Sequence, residues 1–236
     1  MPTMDYVFSF DYMRMDENTP TIFTIGGEDY GQTFNIEQYH IVTDLTDYVK
    51  VDANIEEDKW YRIFGTVKIT PESAHPNDKT KILKNTVTMY MTDENGNTVM
   101  LFSDLPMSET TGKNGLSFGM ENTNYAGVKL KNIRVYSGKG LDGFVKETDG
   151  KQIACVDFLN DGNEMSSDSV VTIGAYGEDR FLFAKTKDFD ENLEAYSIRR
   201  FDFEEISNEY PNPKFKAFMW NKTEGCAPLT TFAEIN

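Results

Sequence analysis

Apolar and polar residues alternate with a period of two along most of the chain. From Asp5 to Met13, Tyr6, Phe8, Phe10 and Tyr12 are interleaved with Val7, Ser9 and Asp11. Alternate residues of a pleated strand point to opposite faces, so this stretch predicts a strand with one strongly aromatic face. Thr21 to Ile25, closed by Gly26-Gly27, reads as a strand, as do Gly31 to Glu37 and Asp47 to Ala53. The clearest signal is Lys59 to Thr70. There Tyr61, Ile63, Gly65, Val67 and Ile69 share one face, and Trp60, Arg62, Phe64, Thr66 and Lys68 share the other. From Asn85 onward Val87, Met89 and Met91 alternate with Thr86, Thr88 and Tyr90. The run Asp93-Glu94-Asn95-Gly96-Asn97 then predicts a hairpin into Val99 to Phe102, because Asn-Gly tolerates the positive φ of a tight turn.

Gly115 to Met120 and Gly127 to Tyr136 add two more strands. In the latter, Val128 and Leu130 are in phase, and Ile133 and Val135 follow one step out of phase. That slip predicts a bulge near Lys131-Asn132. His40 reads as a strand end. Ser137-Gly138-Lys139-Gly140 is turn-rich and predicts a boundary, giving domains 1–138 and 139–236. Beyond it shorter strands are expected at Gln152 to Phe158, Ser169 to Tyr176, Arg180 to Lys185, Leu193 to Phe203, Lys214 to Trp220 and Leu229 to Ile235. Asn160-Asp161-Gly162-Asn163 and Asn208 to Pro213 carry loop chemistry between them. No segment predicts a helix longer than a turn or two, and no internal repeat or low-complexity tract is visible. The class is all-β.

Composition sharpens this. The 236 residues are 39% hydrophobic and 13% aromatic, enough to fill cores, and 17 Phe and 12 Tyr suit half-buried pleated surfaces. Thirty-nine acidic residues against 23 basic ones give a net charge of −16, which argues against nucleic acid and anionic membrane as partners. Acidity also simply keeps a secreted protein soluble. There is no run of about 18 apolar residues to span a bilayer. Met1 to Asp5 leads straight into a strand without a signal peptide, so an exported protein would be represented here by a piece of a longer precursor. The two cysteines, Cys155 and Cys226, are compatible with one bridge or two thiols.

Four elements in order resemble the concanavalin A-like, laminin G-like jelly roll. They are Lys59-Trp-Tyr-Arg-Ile63, Thr86-Val-Thr-Met-Tyr90, the Asn95-Gly96 turn and the closing run Gly127 to Tyr136. The resemblance covers about the first 137 residues. The second half is similar to small immunoglobulin- or fibronectin-like modules appended to secreted carbohydrate-active proteins of gut and ruminal Clostridia. The likeness is carried by Phe215-Lys-Ala-Phe-Met-Trp220 followed by Ala227-Pro228-Leu229, with Cys226 standing where that pattern has a polar residue. Together they imply a jelly-roll β-sandwich plus a smaller immunoglobulin-like β-sandwich, in a secreted or cell-surface bacterial protein with further modules in the parent. They imply polysaccharide binding, with starch or β-glucan as the expected ligand. Jelly rolls also host hydrolases and structural modules, so function has to be argued from residues.

Jelly-roll glucan hydrolases align carboxylates in an E-x-D-x-E strand, which sets an acid and a nucleophile on one face. Between Met1 and Tyr136 that pattern is absent. Glu56-Glu57-Asp58 are consecutive, and the nearest match, Asp202-Phe203-Glu204, reads as the solvent face of a second-domain strand. His40 and His75 are isolated, the latter in a polar loop. No enzyme is expected, the remaining alternative being a glycoside hydrolase or lyase with an unfamiliar acid pair, two carboxylates within about 10 Å across a cleft. A binding surface is expected instead on the Trp60, Arg62, Phe64 face, joined by Thr88 and Tyr90 across a hairpin. Asn122, Asn124 and Tyr125 of a polar loop would form its rim. Pyranose C–H faces stack on aromatic planes, and sugar hydroxyls suit Arg and Asn. The competing expectation is that Trp60 packs under a loop and Phe64 is buried, as most large aromatics are. That outcome would fit a structural spacer or protein-interaction module. Trp220 is expected to pack against Pro228. No cofactor is expected. A structural calcium ion at Asp93 to Asn97 or Asn160 to Asn163 is compatible with the oxygen donors there, and a plain hairpin explains the former with fewer assumptions.

Overall fold

The computed structural model describes residues 5–15, 21–25, 32–36, 40–43, 49–71, 83–106, 116–120, 127–137, 140–148, 151–160, 165–178, 180–204, 213–222, 227–229 and 233–235. These residues form strands and their connections, with no helix among them. The chain divides into two compact units, Met1–Tyr136 and Ser137–Asn236.

The first unit contains β1 (Tyr6–Arg14), β2 (Thr21–Ile25), β3 (Gln32–Ile36), β4 (His40–Thr43) and β5 (Val49–Asp52). It continues with β6 (Trp60–Pro71), β7 (Leu83–Asp93), β8 (Thr98–Pro106), β9 (Leu116–Met120) and β10 (Val128–Ser137). One sheet has the order β10-β1-β6-β7-β8 and the other β5-β4-β3-β2-β9. The aromatic stripe read from β1 faces inward. Tyr6, Phe8, Phe10 and Tyr12 share a buried cluster with Tyr61, Ile63, Val67, Val87, Met89 and Met91 of the same sheet. From the opposite sheet come Phe23, Ile25, Phe34, Ile36 and Ile41. Phe10 meets Phe23 and Phe118 edge-on at 5.2 and 5.0 Å, and Phe34 stacks on Phe23 at 5.0 Å. Two antiparallel sheets closing over one apolar core make this unit a β-sandwich.

The second unit contains β11 (Leu141–Thr148), β12 (Lys151–Asn160), β13 (Ser169–Tyr176), β14 (Phe181–Asp188) and β15 (Ser197–Phe203). Then follow β16 (Lys214–Asn221) and the short β17 (Ala227–Pro228) and β18 (Ala233–Ile235). A three-stranded sheet, β11-β12-β15, faces a second sheet, β14-β13-β16, with β17 and β18 paired to β16. Their inner residues, including Ala154, Val156, Phe158, Val171, Ile173, Phe201, Phe203 and Met219, form a separate core.

Three expectations need correction. His40 opens β4 rather than ending a strand. No strand is expected between the 137–140 boundary and Gln152, yet Leu141–Thr148 forms β11. Gly143 serves there as a close approach, since a Cβ there would lie 2.6 Å from Ile235 Cγ1. The strand expected from Leu193 begins only at Ser197, after Tyr196 takes φ 53°, while Leu193 bridges Met165. In β10, Asn132 has φ 51° and Val128 and Leu130 before it pack on the core, whereas Ile133 and Val135 after it are 49% and 42% exposed. Trp220 stands opposite Pro228 in the β16–β17 pairing, and its ring stacks on Phe218 at 5.9 Å.

Candidate functional site

The outer face of the first unit's β10-β1-β6-β7-β8 sheet is built by cross-strand register. Met13 opposes Trp60, Asp11 opposes Arg62, and Ser9 opposes Phe64. On the other side of β6, Arg62 opposes Thr92, Phe64 opposes Tyr90, and Thr66 opposes Thr88. The expected cluster of Trp60, Arg62, Phe64, Thr88 and Tyr90 therefore exists as neighbours on one face.

Most of that cluster is interior. Phe64 is 2% exposed, Tyr90 4% and Arg62 7%, so none of these offers an open platform. Burial disfavours the phenolate and pushes the Tyr90 hydroxyl up to about 12. The Arg62 guanidinium is engaged within the sheet. Nη1 donates to Asp11 Oδ1 at 2.9 Å, and Nη2 donates to Ser9 Oγ at 3.3 Å. Asp11 Oδ2 accepts a 2.6 Å bond from Asn132 Nδ2. Asn132 reaches that face because its positive φ lets both Lys131 and Asn132 face the Asp11 side.

Trp60 differs from its neighbours. It is half-buried at the end of β6, and the Lys131 ammonium lies over its ring, 3.8 Å from the centroid. Trp60, Lys131, Asn132 and Asp11 thus make a corner that joins an aromatic surface to fixed polar groups. Asn122, Asn124 and Tyr125 lie outside the described residues, as do His75, Cys226 and 161–164.

The Asp93 turn is a hairpin whose carboxylate is consumed locally. Asp93 Oδ1 accepts from the Asn95 and Asn97 amides at 2.9 and 2.8 Å, and Oδ2 accepts from Asn97 Nδ2 at 2.8 Å. Gly96 takes φ 89°. Among the described residues no three His, Cys, Asp or Glu groups gather as metal ligands.

Sequence reasoning missed a charged array on the outer face of β11-β12-β15. Asp142 opposes Asp157, Asp157 opposes Arg200, and Cys155 opposes Asp202. Arg200 grips the nearly fully buried Asp157 with Nε and Nη2 at 2.7 and 2.8 Å, and Lys146 Nζ reaches Asp202 Oδ2 at 2.9 Å. The array was invisible because its residues come from three strands, one of them unanticipated. Burial first, then the adjacent Asp202 carboxylate, push the free Cys155 thiol up to about 12. In a Cys226→Ser chain, a thiol reagent at pH 8 should therefore leave the folded protein unlabelled and modify one group after denaturation. Rapid native labelling would show that Cys155 is accessible.

Arg14, on the core side of β1, is 1% exposed, and its Nε and Nη1 have no hydrogen-bond partner among the described residues. An uncompensated buried guanidinium is costly, so Arg14→Met should raise stability by about 1–3 kcal/mol in denaturant titration. A loss would reveal a partner for the cation in solution.

No protein-family model matches the chain, and no curated protein matches it either.

Proposed function

We propose that the first unit is a non-catalytic polysaccharide-binding module, and that the sugar docks at the Trp60 corner rather than across the whole sheet face. The observation that carries this reading is the half-buried indole of Trp60 on a rigid strand beside Asp11, Lys131 and Asn132. Stacking of a pyranose ring on one aromatic plane, with polar groups fixed at its edge, is a sufficient recognition element. The setting is a secreted or cell-surface protein with further modules, the first unit a jelly roll and the second immunoglobulin-like. This assignment rests on the resemblance of residues 59–136 and 215–229 described above.

Absence of catalysis is part of the proposal. Both oxygens of Asp11, which pairs with Arg62 on that face, are held by donors. Of the Asp202-Phe203-Glu204 run, Asp202 is tied to Lys146, Phe203 lies in the core, and Glu204 follows the strand end.

Affinity electrophoresis on starch, β-glucan, xylan and polygalacturonate tests the reading. Retardation on at least one is expected, and unretarded migration on all of them overturns it. A second reading, a structural spacer or interaction module, is favoured by the burial of Phe64 and Tyr90. It gains if the glycan panel is silent and the protein melts cooperatively.

A further inference from the structure

The chain carries a net charge of −16, yet β10 holds Lys129, Lys131 and Arg134 and no acidic residue in its ten positions. β10 is an edge strand of its sheet, next to β1. Val128 and Leu130 turn inward, so Lys129 and Lys131 share the outward side on which Trp60 lies. Both lysines are exposed, and neither is in an ion pair among the described residues. In a protein with 39 acidic residues, two neighbouring lysines without an ion pair among the described residues are a local feature rather than a consequence of composition. Of the nearer acids, Asp11 is neutralised by Arg62 and Glu56 pairs with Lys59 at 2.7 Å, while Glu57 and Asp58 stay exposed just before β6, beside Arg14.

From this row we infer that the Trp60 corner takes an acidic polysaccharide, one that carries uronate carboxylates along its length. The inference rests on the glycan-binding reading above and narrows its ligand class away from neutral glucans. Successive outward residues on a strand stand about 7 Å apart. Two ammonium groups at that spacing on a rigid edge suit a chain with repeated anionic groups better than a single carboxylate. The apolar face of one sugar would stack on the indole, and the Lys131 ammonium now over that ring would move to the carboxylate at the sugar's edge. Lys129 would meet a further uronate along β10 on the Gly127 side, the end nearer Met15 and Asp58. Edge lysines also protect a strand from pairing with another chain. That duty needs charge alone and gives no reason for a half-buried aromatic beneath it.

The test uses the whole chain, with affinity electrophoresis and isothermal titration against four probes. They are polygalacturonate, the same polymer fully methyl-esterified, β-glucan and dextran sulfate. Polygalacturonate should bind about tenfold or more tightly than its neutral ester, and its affinity should fall as NaCl is raised. The double variant Lys129→Ala, Lys131→Ala should lose about tenfold on polygalacturonate, and less than about twofold on the methyl ester, with an unchanged melt. Equal binding of acid and ester, equal or tighter binding of β-glucan, or an inert lysine variant would overturn the uronate assignment and leave glycan binding standing. Dextran sulfate bound as tightly as polygalacturonate would also overturn it, as charge attraction without sugar recognition. No binding to any of the four would remove the glycan-binding reading, and this inference with it.

Discussion

Asp11→Ala should destabilise the first unit by about 3–5 kcal/mol, read as a fall in its denaturation midpoint. Asp11 is 14% exposed and Arg62 7%, so the pair is largely withdrawn from water. Removing the carboxylate takes the Asp11 counter-charge from the buried Arg62 cation, and removes the Asn132 acceptor that ties β10 to β1. Coulomb attraction at 2.9 Å and two charge-assisted hydrogen bonds are lost, while the desolvation cost of the guanidinium remains. Arg62→Ala should be destabilising for the mirrored reason. The double replacement Asp11→Leu, Arg62→Met should recover much of the loss, because neither charge is then stranded. If the single variants melt like the parent, the pair is solvated and its structural role fails. The same outcome would return Arg62 to the list of groups free to meet a ligand.

Gly65→Ala should cost about 3 kcal/mol or more, though it adds one methyl group. Gly65 sits between Phe8 on β1 and Met89 on β7 in the two registers. A Cβ there would stand 2.5 Å from Phe8 Cζ, 2.8 Å from Phe8 Cε1 and 2.9 Å from the Thr88 carbonyl oxygen. The Phe8 ring is fully buried and the carbonyl belongs to the strand backbone, so neither has room to retreat. The effect should appear in stability with the native spectrum kept, and the parent stability in this variant would mean that Phe8 does not lie over Gly65.

The all-β class and the inward aromatic face of β1 were legible because period-two alternation is a local signal. Gly96 was legible because its neighbours write a hairpin in turn residues. The positive φ of Asn132 was legible for a related reason, as a break in phase between Leu130 and Ile133. β11 was not, because Asp142-Gly143 imitates a turn until Ile235, some ninety residues on, supplies the reason for the glycine. The candidate site was half legible. Alternation placed Trp60, Arg62 and Phe64 on one face and the hairpin brought Tyr90 beside them, but exposure is a property of what covers a face, and alternation carries no information on that. Asp11, Lys131 and Asn132 escaped notice because they join Arg62 and Trp60 only through strand pairing across 51 to 121 residues.

The central claim is that Trp60 is a sugar platform, and paired isotherms and melts of Trp60→Ala against the parent test it most directly. The account predicts that glycan affinity falls by about 1–3 kcal/mol while the melting temperature stays close to that of the parent, since the indole is only half-buried. A variant destabilised by about 3–5 kcal/mol, as for loss of a core aromatic, that still binds glycan with parental affinity below its melt would contradict it.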